Sequence, residues 1–263
     1  MPLTEKQMAE IAQEIIKAEK NAKAITNVID RFPEMTIDEA YAIQMQLVKA
    51  KVQSGELIVG RKIGLCSKAN QAMFGVDEPI YGQMFASAVV PVGDPISVSR
   101  LIRPVIEGEI CFVLGKDLKG PGADLGKVLS AVAGVMPAIE IADCRYTEIK
   151  KKPQPFLCEN SGAAKVAFSG KLTPIDDIDL RLVGMMLEKN GEVIATGAGA
   201  AVLGHPAMPI VHLVNKLAQF GMGLSAGEFI ISGTPHAAVL AQAGDSFCVT
   251  WDRLGSVSIR FVK

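Results

Sequence analysis

The sequence predicts an α+β protein, with an N-terminal helical segment over residues 1–56 and a β-rich body over 57–263 that together form one structural unit. Three observations carry this. Apolar residues recur at helical spacing near the N-terminus and again after Pro206. Two apolar runs in between read as strands, each interrupted by acids. Asn190-Gly191 then separates two extended segments, the strongest short hairpin signal in a sequence. Helices gathered mostly at one end of a run of strands argue for α+β and against a doubly wound sheet.

In chain order, Thr4 and Gln7 form a capping-box pattern ahead of a helix carrying Met8, Ile11 and Ile15 on one face, and Thr36 with Glu39 repeats it ahead of Ala40, Ile43 and Leu47. Gly55 stops the helical segment, and residues 57–64 enter the body as a strand. Gly120-Pro121-Gly122 makes a turn, and Asp124 can cap a short helix reaching about Val132. Residues 182–188 and 192–195 flank the hairpin turn. The glycine-rich stretch from Gly197 to Gly204 leads to Pro206, which suits the first turn of a helix carrying Ile210, Leu213, Val214 and Leu217. Strands over 228–232, 246–251 and 256–262 complete the chain.

Composition narrows the function classes. The 263 residues carry a formal charge of −1, so nothing tracks a phosphate backbone, and the short run Lys150-Lys151-Lys152 reads as solvated loop. Nucleic acid is therefore not an expected partner. A mean hydropathy of +0.29 with 5% aromatics points to a large aliphatic core extended by subunit contacts. No apolar stretch approaches the ~18 residues of a membrane span, and no signal peptide or anchor is visible, so a cytoplasmic protein is expected. Cys66, Cys111, Cys144, Cys158 and Cys248 are scattered without a C-x-x-C pair, consistent with reduced thiols.

The chemistry is carried by acids where core residues belong. In the strand-like run 105–114, Glu107 and Glu109 lie two residues apart, hence on one face and roughly 7 Å apart along the backbone. Glu140 interrupts a second apolar run, 137–142. Buried carboxylates are costly unless a positive charge offsets them. With no equally placed Arg or Lys in these runs, an all-oxygen ligand set suggests Mg²⁺, Mn²⁺ or Ca²⁺ rather than Zn²⁺. The competing reading places the three acids on solvated strand faces.

Other motifs fall away. Gly197-Ala198-Gly199 begins like a dinucleotide fingerprint, but Val202 occupies the third-glycine position and no βαβ unit follows. His205, His212 and His236 are too few and dispersed for a histidine metal site. His205, between Gly204 and Pro206, reads as a turn residue, whereas His236 follows Gly233-Thr234 in a loop that could approach a site.

Taken together, these segments resemble the fumarylacetoacetate hydrolase superfamily, in its branch of 2-oxopent-4-enoate hydratases and 4-oxalocrotonate decarboxylases. The resemblance runs through Phe32-Pro33-Glu34-Met35-Thr36, Gly60-Arg61-Lys62-Ile63-Gly64-Leu65, Glu107-Gly108-Glu109, the Glu140 strand, Glu188-Lys189-Asn190-Gly191-Glu192 and Gly197 to Pro206. It implies a mixed-sheet roll with N-terminal helices, homo-oligomers, and Mg²⁺ or Mn²⁺ held by Glu107, Glu109 and Glu140. It also implies a substrate site drawn from Leu65, Ser67, Ile80, Asn160, Ser161 and Thr234.

Within that branch, hydratases read Pro-Asp-Tyr-Gly or Pro-Asp-Phe-Gly where this chain has Pro79-Ile80-Tyr81-Gly82. Isoleucine cannot move a proton, whereas an apolar side chain suits a site that expels a carboxylate as CO₂. Two segments depart from the branch. Gly64-Leu65-Cys66-Ser67 stands for Gly-Leu-Thr-Ser, and Glu159-Asn160-Ser161-Gly162 for Asp-Asn-Ala-Ser. The expected activity is metal-dependent decarboxylation of a 2-oxo-3-enedioate such as 2-oxo-3-hexenedioate, in degradation of aromatic compounds by meta-cleavage. Lys62 is expected to be the cationic catalytic group; the competing reading is a lysine snorkelling off a strand end. The alternatives are the hydratase, an acylpyruvase-like hydrolase, and a catalytically quiet metal-binding subunit of a complex with a vinylpyruvate-type hydratase. The hydrolase would need an early His-Glu arrangement, yet no histidine precedes His205.

Overall fold

Two mixed sheets, with helices along one side, organise residues 2–263, the residues described by this computed structural model. Both expected capping boxes form. Thr4 and Gln7 begin α1 (Glu5–Lys20), and Thr36 and Glu39 begin α3 (Ile37–Gln53), in each case with the threonine hydroxyl accepting the N3 amide and the N3 side chain returning to the cap. Between them α2 (Val28–Arg31) is a single turn capped by Asn27.

The larger sheet contains β1 (Ile58–Gly64), β2 (Ile80–Phe85), β4 (Pro104–Leu114), β5 (Val132–Asp143), β6 (Ala163–Phe168), β9 (Phe229–Ile231) and β10 (Val239–Leu240). Their order is β2-β1-β9-β4-β5-β6, with β10 adding to β4. Among the described residues β1 and β9 are the one parallel pair in this sheet. The smaller sheet is ordered β3 (Ile96–Ser97), β12 (Gly255–Val262), β11 (Ser246–Trp251), β7 (Gly184–Lys189), β8 (Glu192–Ala198), and β3 and β12 are its parallel pair. Its β7–β8 hairpin turns at Asn190 and Gly191, both at positive φ as a tight reversal demands. The expected helix at Asp124 is α5 (Leu125–Ala131), and the one after Pro206 is α7 (Met208–Ala218).

Besides α2, two short helices had no counterpart in the sequence reading. Ser67 caps α4 (Lys68–Phe74) by accepting the Asn70 amide, and Gly75 closes it at φ 69°. α6 (Pro153–Cys158) contains prolines at 153 and 155, in its first turn where no amide is needed. Both are too short to show helical periodicity.

The N-terminal helices and the body share one hydrophobic core, in which Ile11, Ile15, Ile43 and Leu47 join Ile106, Ile110, Phe112, Leu157, Val214 and Trp251. Buried Gln44 of α3 reinforces the junction by donating to the carbonyls of Tyr81 and Leu157, 2.9 and 3.2 Å away. The opposite face of the larger sheet carries a smaller apolar cluster that includes Met84, Cys111, Ala138, Val166 and Ile231. Strand alternation puts Glu107, Glu109 and Glu140 on this second face, since Ile106, Ile110, Ile139 and Ile141 point into the main core.

Candidate metal centre

β4 and β5 pair in antiparallel register with Glu107 directly opposite Glu140, and Glu109 follows one pleat along. Ligand oxygens of the three carboxylates lie within 4.8 Å of one another. Glu109 and Glu140 are buried, Glu107 half-buried. Solvated strand faces are therefore not where these acids sit. Like charges directly opposite on a sheet repel, and burial removes the water that would screen them.

Lys62 enters from β1. Its Nζ stands 3.1 Å from Glu140 Oε1, and the side chain is only 5% exposed. This corrects one expectation, since the acids do have a cationic neighbour, and it sets aside the competing reading of Lys62 as a lysine snorkelling off a strand end. Sequence periodicity could not show it, because Lys62 reaches the carboxylates across β9 and β4 in the folded sheet. The contact is an ion pair off-line for a hydrogen bond, and neither Glu140 oxygen has a hydrogen-bond partner among the described residues.

The electrostatics agree. Burial pushes the Glu109 carboxyl well above the usual range, Glu140 and Glu107 add to that, and the Gly233 amide and Lys62 only partly oppose it. Glu140 is raised too, by burial first, despite the ammonium beside it. For Lys62, burial works against the charge, yet Glu140, Glu107 and Glu109 together override it and hold the ammonium above its ordinary pKa. One ammonium against three carboxylates leaves negative charge without a counter-charge. Orphaned carboxylate oxygens and an all-oxygen donor set fit a hard divalent cation.

The other expected site residues divide. Ile80 is 5% exposed and flanks Gly64 together with Lys62: a Cβ placed on Gly64 would meet Ile80 Cγ1 at 3.4 Å and Lys62 Nζ at 3.5 Å. An apolar wall thus stands beside the ammonium. Leu65 begins the next loop at φ 56°, and its carbonyl accepts from Gln71 Nε2. Cys66 is buried with its thiol kept neutral, chiefly by burial; Sγ donates to Ile63 O and packs against Gly233. Thr234 lies in the half-buried loop after β9, next to the Gly233 amide that donates to Glu109 Oε2 at 2.6 Å.

Asn160, Ser161 and Ser67 direct their side chains to backbone groups. Asn160 Oδ1 accepts from Gln83 N and its Nδ2 donates to Gln83 O, both at 2.8 Å, while Ser161 Oγ donates to Tyr81 O at 2.7 Å. The turn at 159–162 is pegged onto β2 so closely that a Cβ on Gly82 would lie 2.3 Å from Asn160 O. These polar groups complete a buried backbone edge. Ser67 Oγ is likewise occupied as the α4 cap. Glu159, in the same turn, is buried beside Arg145, whose amide donates to Oε2 at 2.7 Å; burial still pushes this carboxyl up to about 8. This Arg145–Glu159 pair was not foreseen, because only the packing of the segment after β5 against the turn brings the two together. His205 is a turn residue, with Nδ1 accepting the Ala207 amide.

The fumarylacetoacetate hydrolase C-terminal family model matches residues 59–262. The chain belongs to this family. The match starts almost where the β-rich body starts. Over the whole length, the chain is 42% identical to 4-oxalocrotonate decarboxylase of Pseudomonas putida, covering 99% of this chain and 98% of that one. It is 38% identical to 2-oxo-hept-4-ene-1,7-dioate hydratase of Escherichia coli, at 96% and 97% coverage. The structure of 4-oxalocrotonate decarboxylase from Pseudomonas putida G7, complexed with magnesium and adipate, superimposes with a TM-score of 0.96 over 99% of both chains at 42% identity. The mixed-sheet fold expected of the fumarylacetoacetate hydrolase family is therefore the fold observed.

Asn160 provides a test of its structural role. Asn160→Ala strands the amide and carbonyl of Gln83, and an unsatisfied buried group costs about 1–3 kcal/mol. Chemical denaturation should show a loss of that order. A variant as stable as the parent would remove this structural role.

Proposed function

We propose that this protein is a divalent-metal-dependent decarboxylase that converts 2-oxo-3-hexenedioate (4-oxalocrotonate) to 2-hydroxypenta-2,4-dienoate and CO₂ in the breakdown of aromatic compounds. The observation that carries the choice is Ile80, an apolar side chain beside Lys62 where a proton-transferring acid would serve a hydratase. The full-length similarity to 4-oxalocrotonate decarboxylase supports it.

Glu107, Glu109 and Glu140 would hold Mg²⁺ or Mn²⁺. When bound, the ion supplies a Lewis acid at the 2-oxo group and its neighbouring carboxylate. The bond between C5 and the distal carboxylate breaks, its electron pair moves through the C3–C4 double bond toward the 2-oxo oxygen, CO₂ leaves, and the product needs one proton on that oxygen. Lys62 is the group placed to stabilise the developing negative charge and to hold that proton, because the three carboxylates keep its ammonium charged. Ile80 gives the departing carboxylate a poorly solvating surface, which raises the charged ground state relative to a transition state in which that charge is dispersing.

The same reading makes the protein a cytoplasmic homo-oligomer able to associate with a vinylpyruvate-type hydratase. Among the described residues no helix is long and apolar enough to cross a membrane, and Met45, Met73 and Phe220 are exposed apolar side chains of the kind that subunit contacts bury. Light scattering that gives a monomer would remove the oligomer from this reading.

The deciding experiment supplies the purified protein and Mg²⁺ or Mn²⁺ with the enedioate, the dienoate and an acylpyruvate in separate assays. Metal-dependent CO₂ release from the enedioate is expected, with poor hydration of the dienoate. Ile80→Asp should depress decarboxylation by putting a like charge beside the leaving group. Efficient hydration by the parent without CO₂ would make it a hydratase, and silence on all three would leave the quiet partner subunit.

Two substitutions test the assigned roles. Glu109→Gln should remove most metal affinity while the fold persists, because an amide cannot offset the cation's charge. Lys62→Met keeps the apolar stem and deletes the ammonium, so turnover should fall at least ~10²-fold with metal binding retained. Parent-like rates in the second variant, or parent-like metal affinity in the first, would withdraw the corresponding role.

A further inference from the structure

The edge of β4 that carries the acids is not paired by a regular strand. Cys111 faces Ile231 in β9 and Ile106 faces Val239 in β10, so β4 advances five residues while the opposing chain advances eight. The surplus bulges out as the segment between Ile231 and Val239, level with Glu107 and Glu109. Three residues of this bulge restore the contacts a strand would have made. Ser232 donates from N and Oγ to Ile110 O at 3.3 and 3.2 Å, Gly233 N donates to Glu109 Oε2, and the amide of Gly108 donates to His236 Nε2 at 2.9 Å.

The last contact sets the state of the ring. Because Nε2 accepts a backbone N–H, the ring proton sits on Nδ1, where Ala237 O accepts it at 2.7 Å. His236 is thus neutral, held at both nitrogens and aimed at the residue between the two acids. Val249 crowds the same position: a Cβ on Gly108 would meet Val249 Cγ2 at 2.8 Å and His236 Nε2 at 3.3 Å. The backbone between the two acids is thus packed tightly by an imidazole and a core valine.

We infer that His236 is a positioning residue for the carboxylate cluster: by accepting the Gly108 amide in place of a strand partner, it fixes the pleat that aims Glu107 and Glu109 at a common point. This inference rests on the metal-site reading above. Loss of the bond leaves the Gly108 amide without an acceptor and frees the segment between the two acids, so the effect falls on the cluster's geometry more than on the fold. Groups that orient metal ligands from behind typically contribute 10–100-fold in metal affinity.

The test is Mn²⁺ affinity, read by electron paramagnetic resonance of free Mn²⁺, on the full chain with thermal midpoints measured in parallel. His236→Phe should bind Mn²⁺ at least about tenfold more weakly. His236→Gln, whose Oε1 can take the place of Nε2, should recover most of that affinity, while His236→Asn, too short to reach Gly108, should not. Parent-like affinity in His236→Phe overturns the inference. If His236→Phe does not fold, the pair of amide variants decides: Gln near the parent and Asn weakened supports the inference, and equal affinities overturn it. Glu109→Gln in the same titration separates the two levels of argument, because retained affinity there removes the metal site itself, whereas loss there with parent-like His236 variants removes only the role of the histidine.

Discussion

Glu107 facing Glu140 across β4 and β5 is the constraint on which the rest of the site depends. Two carboxylates opposite one another on an apolar sheet face, with a third one pleat away, are unfavourable for both desolvation and mutual repulsion. The polar groups that reach their oxygens carry positive charge or donate an N–H. Lys62 reaches Glu140 and the Gly233 amide reaches Glu109, and the charge left over is what a divalent cation would offset. A sheet that otherwise packs Cys111, Ala138, Val166 and Ile231 on this face would gain stability from apolar residues at 107, 109 and 140, so the acids represent stability given up for chemistry.

The same arrangement links the ends of the chain to the site. β1 brings Lys62, and its pairing with β2 brings Ile80 beside it, while β9 lies between β1 and β4 and the chain leaving it bulges beside the acids. The turn at 159–162 closes over β2 by placing Asn160 and Ser161 on the carbonyls and amide of Tyr81 and Gln83. Rigid sheet positions thus hold the charged groups, while loops supply the amides and the histidine that aim them, a division that favours a preorganised site.

Local signals determined much of this protein. Both capping boxes, the Asn190-Gly191 hairpin, the helices after Asp124 and Pro206, and the common face of Glu107 and Glu109 depend on residues within a turn or a pleat of one another, and all of them formed. The strand period of two makes the second acid's direction a consequence of the first. That an apolar Ile80 stands where the resembling hydratases carry an aspartate was likewise readable in the sequence.

Only tertiary structure decided what those residues meet. Cross-strand register put Glu107 opposite Glu140, and strand order let Lys62 arrive over β9, where it is a buried counter-ion of Glu140. The unequal chain lengths between the β9 and β10 pairings brought His236 to Gly108, and the docking of the 159–162 turn consumed Asn160 and Ser161 in backbone bonds. The reason is physical. Periodicity within an element follows from backbone geometry shared by every sequence, whereas register, bulges and side-chain partners come from burying all the strands at once, with each polar group required to find a partner far along the chain.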